Sequence, residues 1–171
     1  MSAGLPPLAS EIPCSLLAVG CSVEYRGRTL SLDFRGNVKH RVEADPEDKQ
    51  TSVRLRIVGF RMTAGEDAET AVLEQSDTDD DAPSRLKLVR PFPPAYEHRQ
   101  IVDFTATFAF DGEAPVILLA KQPLVLVGTL TRFPPHGDQY KLENPVDLVS
   151  PDAPDTVVAR ITTFPAKQNG L

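Results

Sequence analysis

The chain contains no tryptophan, and its two cysteines, Cys14 and Cys21, lie close together near the N-terminus. Two such thiols do not form a disulfide framework, and they show no CxxC or Cys/His spacing of a metal site. We expect reduced thiols in a reducing compartment. The N-terminus also lacks a basic segment, and the run Leu16–Val19 is too short for a signal-peptide core. With no apolar run near the roughly 20 residues of a membrane span, the sequence predicts a cytoplasmic protein.

Basic clusters interleaved with aromatic residues are also absent, and the formal net charge is −6. Because nucleic-acid binding requires concentrated positive charge, we expect no nucleic-acid partner. The chain has no GxSxG, HExxH, P-loop or Rossmann motif. Its acidic segment 76–83 lacks the alternating ligands, central glycine and distal Glu of a calcium loop, and is interpreted as a solvated loop. The sequence therefore predicts no cofactor and no metal site.

The pattern that is present is one of short alternating segments. Between Ile101 and Phe133, apolar side chains recur at every second position from Val102 to Phe110, which places them on one face of a β-strand. Asp111–Gly112 then supplies a turn. The runs Val116–Ala120 and Leu124–Val127 are apolar throughout, which predicts strands buried on both faces. We interpret this stretch as the central hairpin of the fold.

Similar segments fill the rest of the 171 residues, separated by Gly and Pro. They predict an all-β protein with roughly nine or ten strands and little or no helix, either an antiparallel β-barrel or a two-sheet β-sandwich. Residues 14–171 are expected to form this single domain, and residues 1–13 an extended N-terminal arm. The pattern breaks at Gly36–Asn37, and the following segment, Val38–Val42, is interpreted as an edge strand with His40 exposed.

A change of phase marks the segment around Gly59. Ile57 belongs to one alternating apolar set, and Phe60 begins another, so both face the core only if one extra residue lies between them. This pattern predicts a β-bulge, with Gly59 as its natural bulge residue because glycine tolerates left-handed backbone angles.

Phe92-Pro93-Pro94 recurs as Phe133-Pro134-Pro135, each time after a predicted strand. Proline does not donate to a strand ladder, so we interpret this repeat as an architectural strand terminator. The segment Phe133–Asp147, FPPHGDQYKLENPVD, resembles a motif of small uncharacterised actinobacterial proteins, over about the last 80 residues of the chain. The resemblance implies a bacterial cytosolic protein and no particular chemistry. Small β-barrels of such bacteria include cofactor-free cyclases of polyketide pathways, an analogy at the level of fold only.

Three side chains are candidate proton carriers, namely Tyr96, His98 and His136. Tyr96 and His98 flank Glu97 in the densest group of proton-transfer residues, and His136 precedes Gly137-Asp138 in a predicted turn. The alternative for each is a solvated surface position. The candidate lining of a ligand site is a set of aromatic residues that alternation places in the core: Phe34, Phe60, Phe104, Phe108, Phe110 and Phe133.

Two functional hypotheses follow from this pattern. In the first, the protein binds an apolar small molecule, and if chemistry follows it is a cofactor-free cyclisation or isomerisation in bacterial secondary metabolism. In the second, the protein is a non-catalytic interaction or self-assembly module. It would then form a homo-oligomer through the N-terminal arm or an apolar sheet face.

Overall fold

The protein is all-β in the computed structural model, which describes residues 4–66, 69–76, 84–110 and 112–171. Within these residues there are thirteen strands and no helix, and hence no helix suited to crossing a membrane. The strands are β1 Glu11–Tyr25, β2 Arg28–Ala44, β3 Ser52–Glu66, β4 Glu69–Gln75, β5 Arg85–Pro91, β6 Pro94–Val102, β7 Phe104–Ala109, β8 Val116–Ala120, β9 Leu124–Leu130, β10 His136–Leu142, β11 Val146–Ser150, β12 Ala153–Thr163 and β13 Ala166–Gly170.

The predicted all-β class is confirmed, but the predicted number of nine or ten strands is too low. The short strands β10 and β13 were missed because they carry few apolar residues, with Tyr140 and Ala166 as their buried apolar side chains. Three predictions concern residues outside the described part of the chain: the acidic loop beyond Ser76, the turn residue Asp111, and the first three residues of the arm.

All strands belong to one antiparallel sheet, in the order β12-β11-β8-β7-β4-β3-β2-β1-β13-β10-β9-β6-β5. Two further pairings, β12 with β1 and β3 with β5, close the sheet on itself twice. One closed path, here called the apolar ring, runs through β1, β2, β3, β4, β7, β8, β11 and β12. The other, the polar ring, runs through β1, β2, β3, β5, β6, β9, β10 and β13.

Three long strands, β1, β2 and β3, belong to both rings, and each ring uses a different half of their length. β1 pairs with β13 through Cys14–Ala18 and with β12 through Ser22–Tyr25. β3 pairs with β5 through Ser52–Arg54 and with β4 through Arg61–Glu66. β2 lies between β1 and β3 along its length. Closure of each ring therefore depends on the same three strands.

β2 runs without a break through Gly36, where the sequence predicted the end of a strand. A Cβ at Gly36 would lie 1.9 Å from the carbonyl oxygen of Arg61 and 2.7 Å from the Cα of Met62. Only glycine fits where two backbones approach this closely. Gly36 therefore permits the close contact between β2 and β3 near the point where β2 passes from one ring to the other.

The predicted edge strand at Val38–Val42 is wrong, because this segment is paired with β1 on one side and β3 on the other. Its charged residues do not protect an edge. Lys39 and Arg41 face outward, where both form ion pairs with Glu11. His40 points the opposite way and is fully buried.

The alternation that predicted β7 is confirmed, since Phe104, Ala106 and Phe108 are buried and the residues between them are partly exposed. The prediction that Val116–Ala120 is buried on both faces is wrong. Ile117 and Leu119 on β8 are 58% and 40% exposed. An apolar run in this protein thus forms an outer strand face as well as a core face.

The predicted bulge between Ile57 and Phe60 is confirmed by the pairing of β2 with β3, but the prediction that Gly59 is the bulge residue is wrong. Lys39 pairs with Gly59 and His40 pairs with Ile57, so Val58 is the extra residue. Ile57 and Phe60 are both buried, as the phase change requires. The φ angle of Gly59 is not in the left-handed region, so backbone freedom is not the reason for glycine there.

Candidate functional site

The buried polar side chains divide unequally between the two rings. Apart from tyrosines, every buried polar or charged residue in the described chain belongs to the strands or adjoining loops of the polar ring. The apolar ring encloses a core of aliphatic and aromatic residues. The polar set is His40, Asp45, Ser52, Ser84, His98, Gln100 and Gln168.

Three members of this set have clear structural roles. Asp45 accepts a hydrogen bond from Ser52 Oγ at 2.7 Å and pairs with Arg85 Nε at 2.8 Å. Ser84 Oγ donates to the carbonyl of Ile101 at 3.0 Å and accepts from its amide at 2.8 Å. These groups fix the connections leading into β3 and β5. The remaining four residues need another explanation.

The remaining four residues and Tyr140 form two hydrogen-bonded groups that meet at the two histidine rings. His40 Nε2 lies 2.8 Å from Gln168 Oε1, and Gln168 Nε2 donates to Gln100 Oε1 at 2.9 Å. His98 Nδ1 lies 2.5 Å from the Tyr140 hydroxyl oxygen. The rings of His40 and His98 meet edge to face, with centroids 5.3 Å apart. We call these five residues, His40, His98, Gln100, Tyr140 and Gln168, the histidine cluster.

Strand periodicity places these side chains together. His98 and Gln100 occupy alternate positions on β6 and point inward. His40 lies between the buried residues Val38 and Val42 on β2, and Gln168 follows Ala166 on β13 in the same way. The period of two was therefore the signal that could have identified His40 and Gln168. Their polar character outweighed that signal in the sequence interpretation.

Phe133 covers the two histidines from the connection between β9 and β10. Its ring centroid lies 5.7 Å from that of His98 and 6.0 Å from that of His40, in edge-to-face arrangements. Phe133 is itself partly exposed. It therefore lies between the histidine cluster and solvent.

The environment favours the uncharged form of every ionisable group in the cluster. Burial lowers the pKa of His40 to about 4, against the opposing effect of its hydrogen bond to Gln168. Burial, and then the nearby His40, lowers the pKa of His98 well below its usual range. Burial raises the pKa of the Tyr140 hydroxyl. Because a low-dielectric environment penalises charge, the cluster is neutral at pH 7.

Three buried polar atoms in the cluster lack a hydrogen-bond partner: His40 Nδ1, His98 Nε2 and Gln100 Nε2. Buried polar groups are almost always hydrogen-bonded, since an unpaired one loses its hydration without compensation. Three such atoms in one cluster distinguish it from the rest of the described core and make it the candidate functional site.

A groove of about 530 Å³ crosses β6, β9 and β10 beside the cluster. Its lining includes the buried residues His98 and Tyr140 and the exposed residues Glu97 and Lys141. Gly128 lies between His98 and Tyr140 in the strand pairing. A Cβ at Gly128 would come within 3.0 Å of the Tyr140 ring, so glycine lets this ring lie close to the β9 backbone.

The structure does not bring the three predicted proton carriers together. His98 belongs to the histidine cluster. Tyr96 is buried, but its hydroxyl donates to the carbonyl of Gly4 at 2.5 Å. His136 is exposed at the start of β10, and its backbone amide bonds to Asp138. Catalytic roles for these residues stay predictions.

The six predicted lining phenylalanines lie in separate places. Phe108 and Phe110 pack on Tyr25 in the apolar ring, with centroids 5.0 and 5.4 Å from its ring. Phe34 packs on Phe164 at 5.6 Å. Phe60 and Phe104 are buried in the core, and Phe133 contacts the histidines. Of the six, Phe133 is the one in contact with the histidine cluster.

The described chain thus belongs to the class of all-β proteins whose single sheet closes on itself, with uncharged polar groups buried in one part. No protein-family model matches the chain, and no curated protein does. Among solved structures it is similar to DynF from the dynemicin biosynthesis pathway of Micromonospora chersina. The TM-score is 0.74 over 99% of this chain and 87% of that chain, with 19% sequence identity. At this identity the likeness shows a shared fold.

Proposed function

We propose that the protein binds a largely apolar small molecule in bacterial secondary metabolism, and that the histidine cluster holds the polar end of this ligand. The observation that carries the proposal is the set of unpaired buried atoms on His40, His98 and Gln100. The fold supports it, because closed sheets of about eight strands either fill with side chains or hold one small ligand. In this proposal the polar ring acts as such a small barrel.

The surroundings of the cluster support an apolar ligand body. Phe133 and the buried leucines of β9, Leu124, Leu126 and Leu130, provide aliphatic and aromatic surface in the polar ring. The groove of about 530 Å³ lined by His98 and Tyr140 lies beside the cluster on the solvent side. Apolar walls with a few converging polar groups are typical of small-molecule sites. The similarity to DynF, a protein of a biosynthesis pathway, is consistent with this setting.

A more specific form of this proposal is that the histidine cluster also takes part in catalysis. A neutral imidazole with a lowered pKa is a weak base, and a buried tyrosine is a weak acid, so neither suits strong acid–base catalysis at pH 7. Cyclisation or isomerisation would then rely mainly on shape and orientation of the bound molecule. Binding is therefore the part to test first.

The three histidines of the chain make a direct test practical. Protein labelled with ¹⁵N in the imidazoles is titrated with the neutral apolar probe N-phenyl-1-naphthylamine. We expect saturable binding that shifts the signals of His40 and His98, and a thermal stabilisation that grows with probe concentration. The exposed His136 is the internal control. No binding, or shifts at His136 alone, would contradict the proposal.

A second function, self-association, is supported by a different observation. On β8, Ile117 and Leu119 face outward with 58% and 40% exposure, and Val157 on β12 is 42% exposed. Apolar strand faces of this kind often bind another protein surface. Light scattering should detect a dimer that the double variant Ile117→Lys, Leu119→Lys converts to a monomer. A wild-type protein that is monomeric at every concentration would exclude this function.

A further inference from the structure

The hydrogen-bond network defines which nitrogen of His40 carries the proton. Gln168 donates through Nε2 to Gln100, so the group that it presents to His40 Nε2 is its oxygen. An amide oxygen only accepts hydrogen bonds. His40 must therefore be protonated on Nε2, and its unpartnered Nδ1 is an acceptor.

The same reasoning applies to His98 and Gln100. Burial keeps the Tyr140 hydroxyl protonated, and His98 Nδ1 is its one hydrogen-bond partner among the described residues, so we assign the hydroxyl proton to this bond. Neutral His98 then carries its own proton on Nε2, which is an unpartnered donor. The amide nitrogen of Gln100 is a second unpartnered donor, because its oxygen already accepts from Gln168. The cluster thus presents two free donors and one free acceptor.

A hydroxyl group matches this set, since its oxygen accepts two hydrogen bonds and its proton donates one. One oxygen bonded at about 2.9 Å to two nitrogens can bridge a gap of up to about 6 Å. The imidazole rings of His40 and His98 meet edge to face with centroids 5.3 Å apart, and Gln168 connects Gln100 to His40, so the three residues that carry the unpaired atoms are neighbours. A ketone or ether oxygen has no proton to donate and would leave His40 Nδ1 unpaired.

Charged groups match the cluster poorly. The buried charge in the polar ring, Asp45, is already paired with Arg85. The cluster itself has no charged partner to offer, and a buried carboxylate or ammonium without one is strongly disfavoured. The preferred group is therefore uncharged.

We propose that the histidine cluster recognises one neutral hydroxyl group, phenolic, enolic or alcoholic, on an apolar ligand. His40 Nδ1 accepts the hydroxyl proton, and His98 Nε2 and Gln100 Nε2 donate to its oxygen. This inference rests on the proposed binding function and narrows it to a ligand class. Water also pairs with these three atoms, although it has a second proton to donate, and the test below distinguishes it from a ligand hydroxyl.

The test compares three probes of similar size, namely phenol, anisole and toluene, titrated into the protein labelled with ¹⁵N in the imidazoles. Phenol should bind roughly tenfold or more tightly than toluene, because toluene leaves the polar atoms unpaired. Anisole, whose oxygen accepts hydrogen bonds but has no proton for His40 Nδ1, should bind with an affinity between those of phenol and toluene. Phenol should also shift the Nδ1 signal of His40. Equal affinities for phenol and toluene, or no shift at His40, would overturn the proposal, and either is the result expected if a retained water pairs with these atoms.

Two variants with the same substitution provide a matched comparison. His40→Phe should abolish the preference for phenol over toluene, whereas His136→Phe should retain it. If His40→Phe does not fold, the affinity ratio and the His40 Nδ1 shift in the wild-type protein decide the question. Binding of N-phenyl-1-naphthylamine at the cluster without a phenol preference would reject the hydroxyl proposal and leave the binding function intact. Failure of all four probes would reject both.

Discussion

His40 and His98 show how a residue type can mislead when its place in the strand is ignored. Histidine between two basic residues resembles a surface residue, yet His40 is fully buried beneath Lys39 and Arg41. His40 contacts His98 on β6 and Gln168 on β13, which are distant from it in sequence. Alternation along β2 determines that His40 faces inward. The order of the strands in the sheet then brings its polar partners, His98 and Gln168, next to it.

Burial of neutral histidines makes the stability of the protein depend on pH. The pKa of His40 is about 4 in the folded protein and returns to about 6.5 on unfolding. Below about pH 6.5 the unfolded chain binds more protons, so the free energy of unfolding falls as the pH decreases towards about 4. His98, with its lowered pKa, acts in the same direction.

His40→Gln should remove part of this dependence, up to about 1.4 kcal/mol per pH unit within that window. His136→Gln, which changes an exposed residue outside the cluster, should keep the wild-type slope. Urea denaturation in steps of about one unit between roughly pH 7.5 and 4.5 measures both slopes. A His40→Gln protein with the full wild-type slope would show that His40 is not the group responsible.

Among the strands, β2 depends on Gly36, which the sequence interpretation took as the end of a strand. A Cβ at Gly36 would meet the backbone of Arg61 and Met62, which a side-chain movement does not relieve. The same substitution at Gly59 would place a Cβ at 3.7 Å from the Lys39 Cβ, an ordinary contact. The two glycines of the β2–β3 pair therefore differ in their tolerance of a methyl group.

We expect Gly36→Ala to lower the free energy of unfolding by at least about 3 kcal/mol, or to prevent folding. Gly59→Ala should change it by less than about 1 kcal/mol, because the added methyl group fits and lowers the entropy of the unfolded chain. Chemical denaturation of both variants provides the measurement. A Gly36→Ala protein that loses as little stability as the Gly59→Ala protein would indicate that β2 and β3 separate easily at Gly36.

The two Phe-Pro-Pro connections also differ despite their common sequence. Phe92 is 88% exposed, whereas Phe133 packs on both histidines. Phe133→Ala should therefore lower the free energy of unfolding by about 2 kcal/mol, and Phe92→Ala by no more than about 0.5 kcal/mol. Denaturation curves of the two variants test this difference. Equal effects would contradict the contact between Phe133 and the histidine cluster.

A strand could be predicted from the sequence where its buried face carries only apolar side chains and its other face is polar. Strands without this alternation were much harder to predict. Alternation identified β7 and the bulge beside Gly59 because each core position there carries an apolar side chain. It failed for β13, whose inward residues include Gln168, and for Ile117 on β8, which faces outward. Short-range pattern contains no information about which strand pairs with which. The strand order and the two pairings that close the rings were therefore beyond the sequence interpretation, which left barrel and sandwich as alternatives.

At the scale of the whole molecule, the shared strands link the stability of the two rings. β1, β2 and β3 provide three of the strands in each closed path, and β1 and β3 change partners along their length. Neither ring closes without these strands. Loss of packing in one ring therefore exposes strand edges needed by the other.

We expect the two rings to unfold together in a single transition. Leu118 on β8 lies in the apolar ring and Leu126 on β9 in the polar ring, and both are fully buried. Leu118→Ala and Leu126→Ala should each lower the free energy of unfolding by about 2–5 kcal/mol. Because the strands are shared, each change should reduce the protection of backbone amides in both rings to a similar extent. Calorimetry combined with hydrogen exchange measures both effects. Two separate calorimetric transitions, or a Leu118→Ala protein whose polar ring keeps its full protection, would show that the rings are independent folding units.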